Sequence, residues 1–480
     1  MRPETVLEGR PVAVPRRSAH AMNDRPAARV SGIRSALTMG VYHVLFGLAF
    51  LIYAPVLLWR LAFDPRYRTG IRERMGAMPI LDSASPVVWI HGVSVGEVKA
   101  AGTLIARLRA ERPDLRLVLS STTPAGHALA RKLHPDLTVV FYPLDFGPFP
   151  GRALRRIRPA CVLLMELEIW PNFLEVAARR GIPVAVINGR MSEKSFRGYR
   201  RLRGLLPQFD RIQVYCVQDA SYRRRLLDLG VDGARIEVTG NMKYDSVALR
   251  DPAWETVELR RWLSPDGQPV VVAGSTHDDE ELRLADLVRR LKAATVPALR
   301  LVVAPRHPER TPTIVEALTR AGHSTVRWSE TQQGRTALRT DDVLVVDTIG
   351  QLETFYGACD VAFVGGSLVA HGGQNMLEPA ALGKAVVFGP HTNNFRTDVR
   401  LLIAGDAVCQ VRDVDQLQTC LADLLRDGDR RRALGDRAVA VIRCNQGATE
   451  RTLQALRPLL AGVVAAQVRV DPTVRPRTGA

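Results

Sequence analysis

Short runs of β-branched and apolar residues alternate with amphipathic stretches along most of this 480-residue chain. A first series includes VVWIHGV at 87–93 and LRLVLSST at 115–122, and a second begins with PVVVAGS at 269–275 and continues with LRLVVAPRH at 299–307. Buried strands separated by helices are typical of parallel βαβ units. The pattern therefore predicts an α/β protein with two Rossmann-like, doubly wound domains of similar size.

The polarity of the remaining stretches suggests the domain boundaries. Residues 250–268, between the two series, have the polarity of a linker, and the first 34 residues carry Pro, Arg and Ala without periodicity, which is typical of disorder. We predict six segments: a disordered extension at 1–34, a membrane-anchor helix at 35–60, an N-terminal domain at 61–249, a linker at 250–268, a C-terminal domain at 269–465 and a tail at 466–480.

The stretch from Ser35 to Trp59 carries no formal charge. About 20 apolar residues cross a bilayer as a helix, and the stretch is too long for a signal-peptide core. It therefore predicts an uncleaved anchor more readily than a buried core helix, and a monotopic anchor that enters the bilayer without crossing it stays open. The basic flank after it predicts that the following domains are cytoplasmic, although the flank before it is basic as well.

The composition narrows the class of partner. Lys and Arg number 66 and Asp and Glu number 49, a net charge of +17 that favours nucleic acid, an anionic membrane face or a phosphorylated substrate. A nucleic-acid binder would interleave basic with aromatic residues, and aromatic residues are only 6% of the chain. We therefore expect no nucleic-acid partner.

Two motifs in the first half place carboxylates directly after predicted strands, where open α/β sheets bind ligands. HGVSVGEVKA at 91–100 puts Glu97 in a first helical turn, where it could act as a general base or simply complement the helix dipole. MELEIWPN at 165–172 puts Glu166 at a strand end and Glu168 two residues later. The two acids could tune each other or hold acceptor hydroxyls, or form an exposed charge pair.

Two further motifs present cations after predicted strands. In GNMKYD at 240–245, Lys243 could contact a phosphate or lie at an interdomain surface. In APRHPER at 304–310, Arg306 follows an apolar strand, and an arginine presented by a rigid strand end suits a phosphate. His307 in the same motif is more typical of a packing or hydrogen-bonding residue.

The stretch 347–390 contains GGS after a strand, then HGGQN, then NMLEPAALGKA at the start of a predicted helix. Glycines permit close backbone approach, and a helix N-terminus offers free N–H groups to phosphate. Glu378 in the first turn could accept hydroxyls from a ribose. The stretch is neither a G-x-G-x-x-G after the first strand nor a P-loop, which argues against NAD binding and ATP hydrolysis.

The sequence offers little support for a metal site. Asp413 and Asp415 precede a clear helical pattern and are better interpreted as an N-cap than as metal ligands. No histidine cluster has metal-ligand spacing. We expect a metal-independent site without a cofactor.

Taken together, the motifs resemble the 3-deoxy-D-manno-octulosonic acid (Kdo) transferases of Gram-negative bacteria. The blocks that carry the resemblance occur in family order over about residues 40–460: HGVSVGE, MELEIWPN, NGRMSEKSFRGY, GNMKYD, GSTHDDEE, VAPRHPER, and GGSLVAHGGQNMLEPA with GPHTNNF. The resemblance implies a GT-B fold, in which two Rossmann-like domains face a cleft. It also implies transfer of Kdo from the donor CMP-Kdo to the lipid A precursor, with the catalytic domains on the cytoplasmic face of the inner membrane beside its lipids.

The resemblance also implies roles for individual residues. Glu97 would be the general base that deprotonates the acceptor hydroxyl, and Glu166 and Lys243 would stabilise the transition state. CMP would contact three groups of residues: Pro305 and Arg306; Ile349, Gly350 and Gln351; and Asn375, Met376, Leu377 and Glu378.

Two other functions compete with this interpretation. The first is a membrane-associated GT-B enzyme that uses a UDP-sugar, which a preference for UDP over CMP would reveal. The second is a membrane-tethered protein that binds anionic lipid or nucleic acid, which the low aromatic content disfavours. Fold likeness alone does not separate these functions, because GT-B folds host many activities.

Overall fold

The computed structural model describes residues 32–63, 68–81, 85–203, 207–247, 249, 254–332 and 338–470, although side chains at 32–37, 57, 58, 61 and 463–470 are not described. The extension predicted at 1–34 lies outside these residues up to Ser31, and the tail predicted at 466–480 lies outside them from Asp471 onward.

The first sheet contains seven parallel strands. They are β1 (Val87–His91), β2 (Arg116–Ser121), β3 (Thr138–Phe141), β4 (Pro159–Met165), β5 (Val184–Gly189), β6 (Val214–Val217) and β7 (Ile236–Val238). Their order across the sheet is β3-β2-β1-β4-β5-β6-β7. Successive residues of β1 pack into different cores, Val88 and Ile90 into one and Val87 and Trp89 into another, because side chains alternate between the faces of a strand.

Helices cover both faces of this sheet. They are α1 (Gly32–Phe63), α2 (Ile71–Arg74), α3 (Val95–Glu111), α4 (Pro124–Leu133), α5 (Phe149–Ile157), α6 (Pro171–Arg179), α7 (Glu193–Leu202) and α8 (Ala220–Asp228). Short 3₁₀ helices occupy Pro207–Arg211 and Gly233–Arg235.

The second sheet repeats the arrangement with seven more parallel strands. They are β8 (Val270–Thr276), β9 (Arg300–Pro305), β10 (Thr325–Arg327), β11 (Val343–Val345), β12 (Val361–Val364), β13 (Ala385–Phe388) and β14 (Cys409–Gln410). Their order is β10-β11-β9-β8-β12-β13-β14. Two parallel seven-stranded sheets with helical connections confirm the predicted fold class.

The second set of helices surrounds this sheet and extends beyond it. They are α9 (Trp254–Leu263), α10 (Glu280–Ala294), α11 (Thr311–Arg320), α12 (Trp328–Gln332), α13 (Leu352–Ala358), α14 (Leu377–Ala381), α15 (Arg396–Ala404), α16 (Val414–Arg426), α17 (Gly428–Asn445) and α18 (Ala448–Val470). Asp413 caps α16 by accepting the Gln416 amide at 2.8 Å, which confirms the predicted N-cap.

Two helices pack differently from what the sequence-based boundaries suggest. Helix α9 lies inside the stretch predicted as a linker, and its Leu259 and Leu263 are buried in a core of the second domain. Helix α18 follows the second domain, yet its Leu453 and Leu456 are buried against the first. Both helices carry an apolar stripe that must be buried against a neighbour, and local polarity does not reveal which neighbour that is.

Helix α1 is the one helix within the described ranges that is long and apolar enough to cross a membrane, and the apolar window runs from Thr38 to Val56. Only 6% of that window is buried. Most of the large apolar side chains in this window are therefore exposed, in contrast to those of a buried core helix.

The order of the strands locates the ligand crevices. Strands β1 and β4 are neighbours in the first sheet, and β8 and β12 are neighbours in the second. At each pair the chain changes the direction in which successive strands are added to the sheet. The connections that follow the two strands therefore lead toward opposite edges of the sheet. Such switch points, at the carboxyl ends of the strands, are where open α/β sheets bind ligands.

Candidate functional site

Glu97 lies at the switch point of the first sheet, in the first turn of the helix that follows β1. Its carboxylate accepts the Val93 amide at 2.8 Å and the Ser94 hydroxyl at 2.9 Å. Ser94 in turn caps α3 by accepting the Glu97 amide, an arrangement similar to a capping box except that the glutamate accepts the amide of the residue before the N-cap. The side chain is thus fixed at the mouth of the crevice with 8% of its surface exposed.

Glu166 follows β4, the other strand of this switch point. Its backbone has a φ of 56°, a left-handed conformation that costs energy in a non-glycine residue and often occurs at functional sites. Its carboxylate pairs with Arg190, whose Nε lies 2.7 Å from Oε2. Arg190 follows β5 directly, so three neighbouring strands contribute charged side chains to one crevice.

Burial and neighbouring charge raise the pKa values of two acids in this crevice, Glu97 and Glu168. Burial raises the pKa of Glu97 above its ordinary 4.5, and the Glu166 charge raises it further, while the bonds from Val93 and Ser94 and the charge of Arg190 oppose the rise. Burial, with the charges of Glu97 and Glu166, raises the pKa of Glu168 to about 7. Clustered carboxylates with raised pKa values are typical of sites that transfer protons.

Lys243 makes an interdomain contact. Its Nζ donates to Asp398 Oδ2 at 2.8 Å and lies 4.4 Å from the centre of the Phe395 ring. Tyr244 donates to the other Asp398 oxygen at 2.9 Å. Among the described contacts, none joins Lys243 to Glu97 or Glu166, so the structure brings those two acids together and sets the lysine apart.

Arg400 on α15 brings positive charge to the first domain from the second. Burial and the charge of Asp219 raise the pKa of Tyr222, and the charges of Arg190, Arg225 and Arg400 oppose that rise. Sequence reasoning did not single out Arg190 or Arg400. Arg190 could have been found from its position directly after a strand, whereas the nearness of Arg400 to Tyr222 depends on how the domains face each other.

Glu280 organises the switch point of the second sheet. Its carboxylate is buried and accepts four backbone amides, from His277 at 2.9 Å, Gly366 at 2.7 Å, Ser367 at 3.1 Å and Leu368 at 2.9 Å. The sequence predicts that the glycines of this loop let a ligand approach the backbone. The structure instead directs the amides of residues 366–368 at the internal carboxylate of Glu280.

The first glycine of the loop is required by packing. A Cβ on Gly365 would lie 2.5 Å from the Cα atom of Thr276, closer than real atoms approach. The end of β12 can therefore contact the end of β8 only because position 365 has no side chain.

Several residues with predicted CMP contacts lie at strand ends of the second sheet. Pro305 ends β9, and the exposed Arg306 donates its amide to Thr276 at 3.1 Å. Ile349 is 88% exposed, Gly350 has a φ of 92°, and Gln351 occupies the N-cap position of α13. The fold thus gathers these side chains at the edge of the second sheet that carries the switch point.

The stretch from Asn375 to Glu378 forms a tight turn rather than the start of a long helix. Asn375 accepts the Leu377 amide at 3.3 Å and donates to Glu378 at 3.0 Å. Helix α14 has only five residues, because the chain turns at Gly383 with a φ of 66°. Met376 and Leu377 are buried in the core, so a ligand at this turn would contact their backbone.

Three histidines lie near the same edge, but they form no metal cluster. The His277 and His371 rings stack 4.3 Å apart, and the His307 ring lies 5.8 Å from that of His277. Burial, with the charges of the other two rings, lowers the pKa of His277 to about 4. No group of three or more potential ligands in the described part of the chain could hold a metal ion, and metal independence stays a prediction.

Comparison with known proteins supplies a family likeness. The profile of the family described as 3-deoxy-D-manno-octulosonic-acid transferase (kdotransferase) matches residues 69–246. A 3-deoxy-D-manno-octulosonic acid transferase of Haemophilus influenzae is 33% identical over 83% of this chain and 93% of its own length. The Bordetella pertussis protein of that name is 36% identical over 81% of this chain and 90% of its own.

A solved structure is similar in fold alone. UDP-GlcNAc 2-epimerase from Neisseria meningitidis, bound to UDP-GlcNAc, is 13% identical and superposes with a TM-score of 0.51 over 78% of this chain and 100% of the epimerase.

Proposed function

The chain belongs to the 3-deoxy-D-manno-octulosonic acid transferase family and is a glycosyltransferase, and from this premise we propose that it transfers Kdo from CMP-Kdo to the lipid A precursor (lipid IVA) with inversion. The observation that carries the proposed chemistry is the buried Glu97 carboxylate at the first switch point, held by Val93 and Ser94. A fixed carboxylate with a raised pKa suits the removal of a proton from a sugar hydroxyl.

In the proposed reaction, the acceptor hydroxyl attacks the anomeric carbon of Kdo while CMP leaves with the bonding electron pair. The hydroxyl proton passes to Glu97, so one C–O bond forms as another breaks and charge is conserved. Glu166 faces the same crevice, where its carboxylate, fixed by Arg190, would stabilise positive charge developing on the sugar. Glu168 shares the crevice and limits the negative charge there, because its raised pKa keeps it partly protonated near neutral pH.

The leaving nucleotide would bind the second domain. Arg306 is exposed at the end of β9 and is free to turn its guanidinium toward a phosphate. The Gly350 turn and the Asn375–Glu378 turn lie at the same edge and would supply backbone and carboxylate contacts to cytidine and ribose. CMP is a stable leaving group, so neither a metal ion nor another cofactor is part of the proposal.

Lys243 has a different role in the proposal from the other residues, because it bonds to the second domain. Its Nζ bonds to Asp398, so stabilising the transition state directly would require that bond to open when substrate binds. In the arrangement described, Lys243 instead orients the two domains whose crevices must face each other.

The exposed apolar helix α1 supports a membrane location. An acylated acceptor stays in its bilayer, and an enzyme anchored in that bilayer meets it by diffusion in two dimensions. We place the enzyme at the inner membrane with both catalytic domains on the cytoplasmic face, as the basic residues after α1 predict.

Replacement of Glu97 tests the general base. Glu97→Gln keeps the side-chain shape but cannot accept the proton, so we expect kcat for Kdo transfer to fall by roughly 10²–10⁴-fold while CMP affinity is unchanged. Product formation by mass spectrometry and CMP binding by calorimetry measure the two effects. Glu111→Gln, at the other end of α3, is the matched control. Near-normal turnover of the Glu97 variant would remove Glu97 from the role of base.

The pH dependence of transfer tests the electrostatics of the crevice. A base must be ionised, so kcat/KM falls as pH drops through its pKa, and the raised pKa of Glu97 places that acidic limb above pH 4.5. Arg190 lowers this pKa, so Arg190→Gln should move the limb to higher pH. Glu166 raises it, so Glu166→Gln should move the limb to lower pH. Arg197→Gln, on the exposed face of α7, should leave it in place, and shifts of the opposite sign would contradict the assignment.

Replacement of Arg306 tests the donor site. A charge-assisted bond to phosphate contributes about 1.5–3 kcal/mol, so Arg306→Ala should raise the KM for CMP-Kdo by roughly 10–100-fold, with a smaller change in the KM for the acceptor. Arg320→Ala, on the neighbouring helix α11, should change neither value. An unaltered donor KM in the Arg306 variant would place the nucleotide elsewhere.

A further inference from the structure

The N-terminal part of α1 is docked on the first domain. Tyr42 donates to Asp145 Oδ2 at 2.9 Å, and the Phe46 ring stacks on Phe146 at 5.0 Å. Met39 is buried, and its sulfur accepts a bond from Gln208 at 3.4 Å. These contacts hold this part of the helix against the loop after β3 and against the 3₁₀ helix at Pro207–Arg211.

The segment of α1 beyond Phe46 is mostly exposed where the structure describes its side chains. The large apolar side chains beyond Phe46 that the structure describes are exposed, Ile52 to 81% and Leu51 to 68%. The others described as exposed are Leu48, Phe50, Tyr53, Val56, Trp59 and Phe63. An apolar surface of this extent, continuous along one helix, matches the hydrocarbon of a bilayer.

The chain returns to the same domain soon after α1 ends. Gly70, with a φ of 73°, lies so close to the Phe141 ring that a Cβ would clash at 2.0 Å. Arg74 then donates to the Thr122 carbonyl at 2.6 Å and accepts the Leu144 amide at 2.8 Å. Both ends of the exposed segment are therefore tied to the carboxyl edge of the first sheet.

This tethering conflicts with a transmembrane path. The hydrocarbon core is about 30 Å thick, whereas the seven residue steps from Phe63 to Gly70 reach at most about 24 Å. They include Asp64, Arg66 and Arg68, whose charges are costly in hydrocarbon. A helix whose far end lay on the opposite face could not connect back to Gly70 while Tyr42 stays bonded to Asp145.

We propose that α1 is a monotopic anchor that lies in one leaflet of the bilayer, with both of its ends on the side of the catalytic domains. The inference rests on the proposed membrane location and adds the topology. It places the crevice that contains Glu97 beside a single leaflet, because the loop that holds α1 begins at the carboxyl end of β3, on the same edge of the sheet.

Protease protection distinguishes the two topologies in the full chain, which would carry one epitope tag at each end. In inverted inner-membrane vesicles both tags should be digested, and in right-side-out vesicles both should be protected. Digestion of the N-terminal tag in right-side-out vesicles only would overturn the proposal. Kdo transfer measured in the same vesicles separates this outcome from failure of the proposed function, because topology is scored whether or not transfer occurs.

A cavity lined by residues that follow α1 in the sequence carries a second inference, from different observations. It has a volume of about 570 Å³ and lies between residues 72–77 and helix α5. Four arginines line it: Arg72, Arg152, Arg155 and Arg156. Gly76 lets residues 72–77 approach α5 closely, since a Cβ on Gly76 would lie 2.6 Å from the Phe149 carbonyl oxygen.

The charge of the cavity is uncompensated. No ion pair joins these four guanidinium groups to an acidic side chain in the part of the chain that the structure describes, and only Arg156 bonds within the wall, to the Met78 carbonyl. Four like charges around one cavity repel each other, and an anion with several oxygens relieves that repulsion. The cavity begins nine residues after the end of α1, close to where the chain leaves the membrane surface.

We infer that this arginine cavity binds the phosphate headgroup of an anionic bilayer lipid. A lipid phosphate is favoured over a free anion because the cavity wall begins only nine residues after the end of the exposed apolar helix. Headgroup binding there and hydrocarbon burial of α1 would act on the same leaflet.

Vesicle flotation of the full chain tests the cavity. With phosphatidylglycerol vesicles, the double variant Arg152→Ala, Arg155→Ala should bind roughly tenfold or more weakly, since each surface arginine near an anionic bilayer contributes about 1 kcal/mol. The matched control Arg290→Ala, Arg426→Ala removes the same charge from the second domain and should bind normally. With phosphatidylcholine vesicles the variants should not differ.

Three results would overturn the assignment. Equal weakening in both double variants would mean that net charge alone attracts the membrane. Equal binding of both to phosphatidylglycerol would mean that the cavity holds no headgroup. Displacement by millimolar inorganic phosphate at constant ionic strength would identify a site for free phosphate instead.

Discussion

The junction of the two domains at residues 241–245 is the constraint on which the rest of the molecule depends. Lys243 and Tyr244 both bond to Asp398 of the second domain. Asp245 accepts the amides of Gly447 and Thr449 at the start of α18, and α18 then packs on the first domain. One short turn therefore contacts the second domain at α15 and again at the start of α18, and it sets how two crevices on separate sheets face each other.

The two crevices differ in how their buried carboxylates are stabilised. In the first, burial raises the pKa values of Glu97 and Glu168, and the charges of neighbouring carboxylates raise them further, while the charge of Arg190 opposes the rise at Glu97. In the second, the buried Glu280 is surrounded by four amides and is satisfied internally. The first crevice holds carboxylates whose raised pKa values suit proton transfer. The second uses its carboxylate to hold a loop in place.

The sequence predicted the fold and those site residues that lie directly after a strand. The alternation of strands and helices predicted both sheets, and the rule that ligands bind at strand ends led to Glu97 and Glu166, which the fold brings into one crevice. The same rule could have found Arg190. It was misleading for the glycine loop at 365–367, because a pattern of glycines does not reveal whether the amides face a ligand or the carboxylate of Glu280, some 85 residues away.

Local sequence determined the secondary structure, the apolar character of α1 and the residue types at the strand ends, because these depend on periodicity and on side chains within a few positions. Tertiary structure decided the partners: that Lys243 bonds to Asp398, that α18 returns to the first domain, that four arginines surround one cavity, and that both ends of α1 attach to the same domain. Each of these contacts joins residues distant in sequence or depends on the path of the folded chain, and no short-range pattern encodes that path.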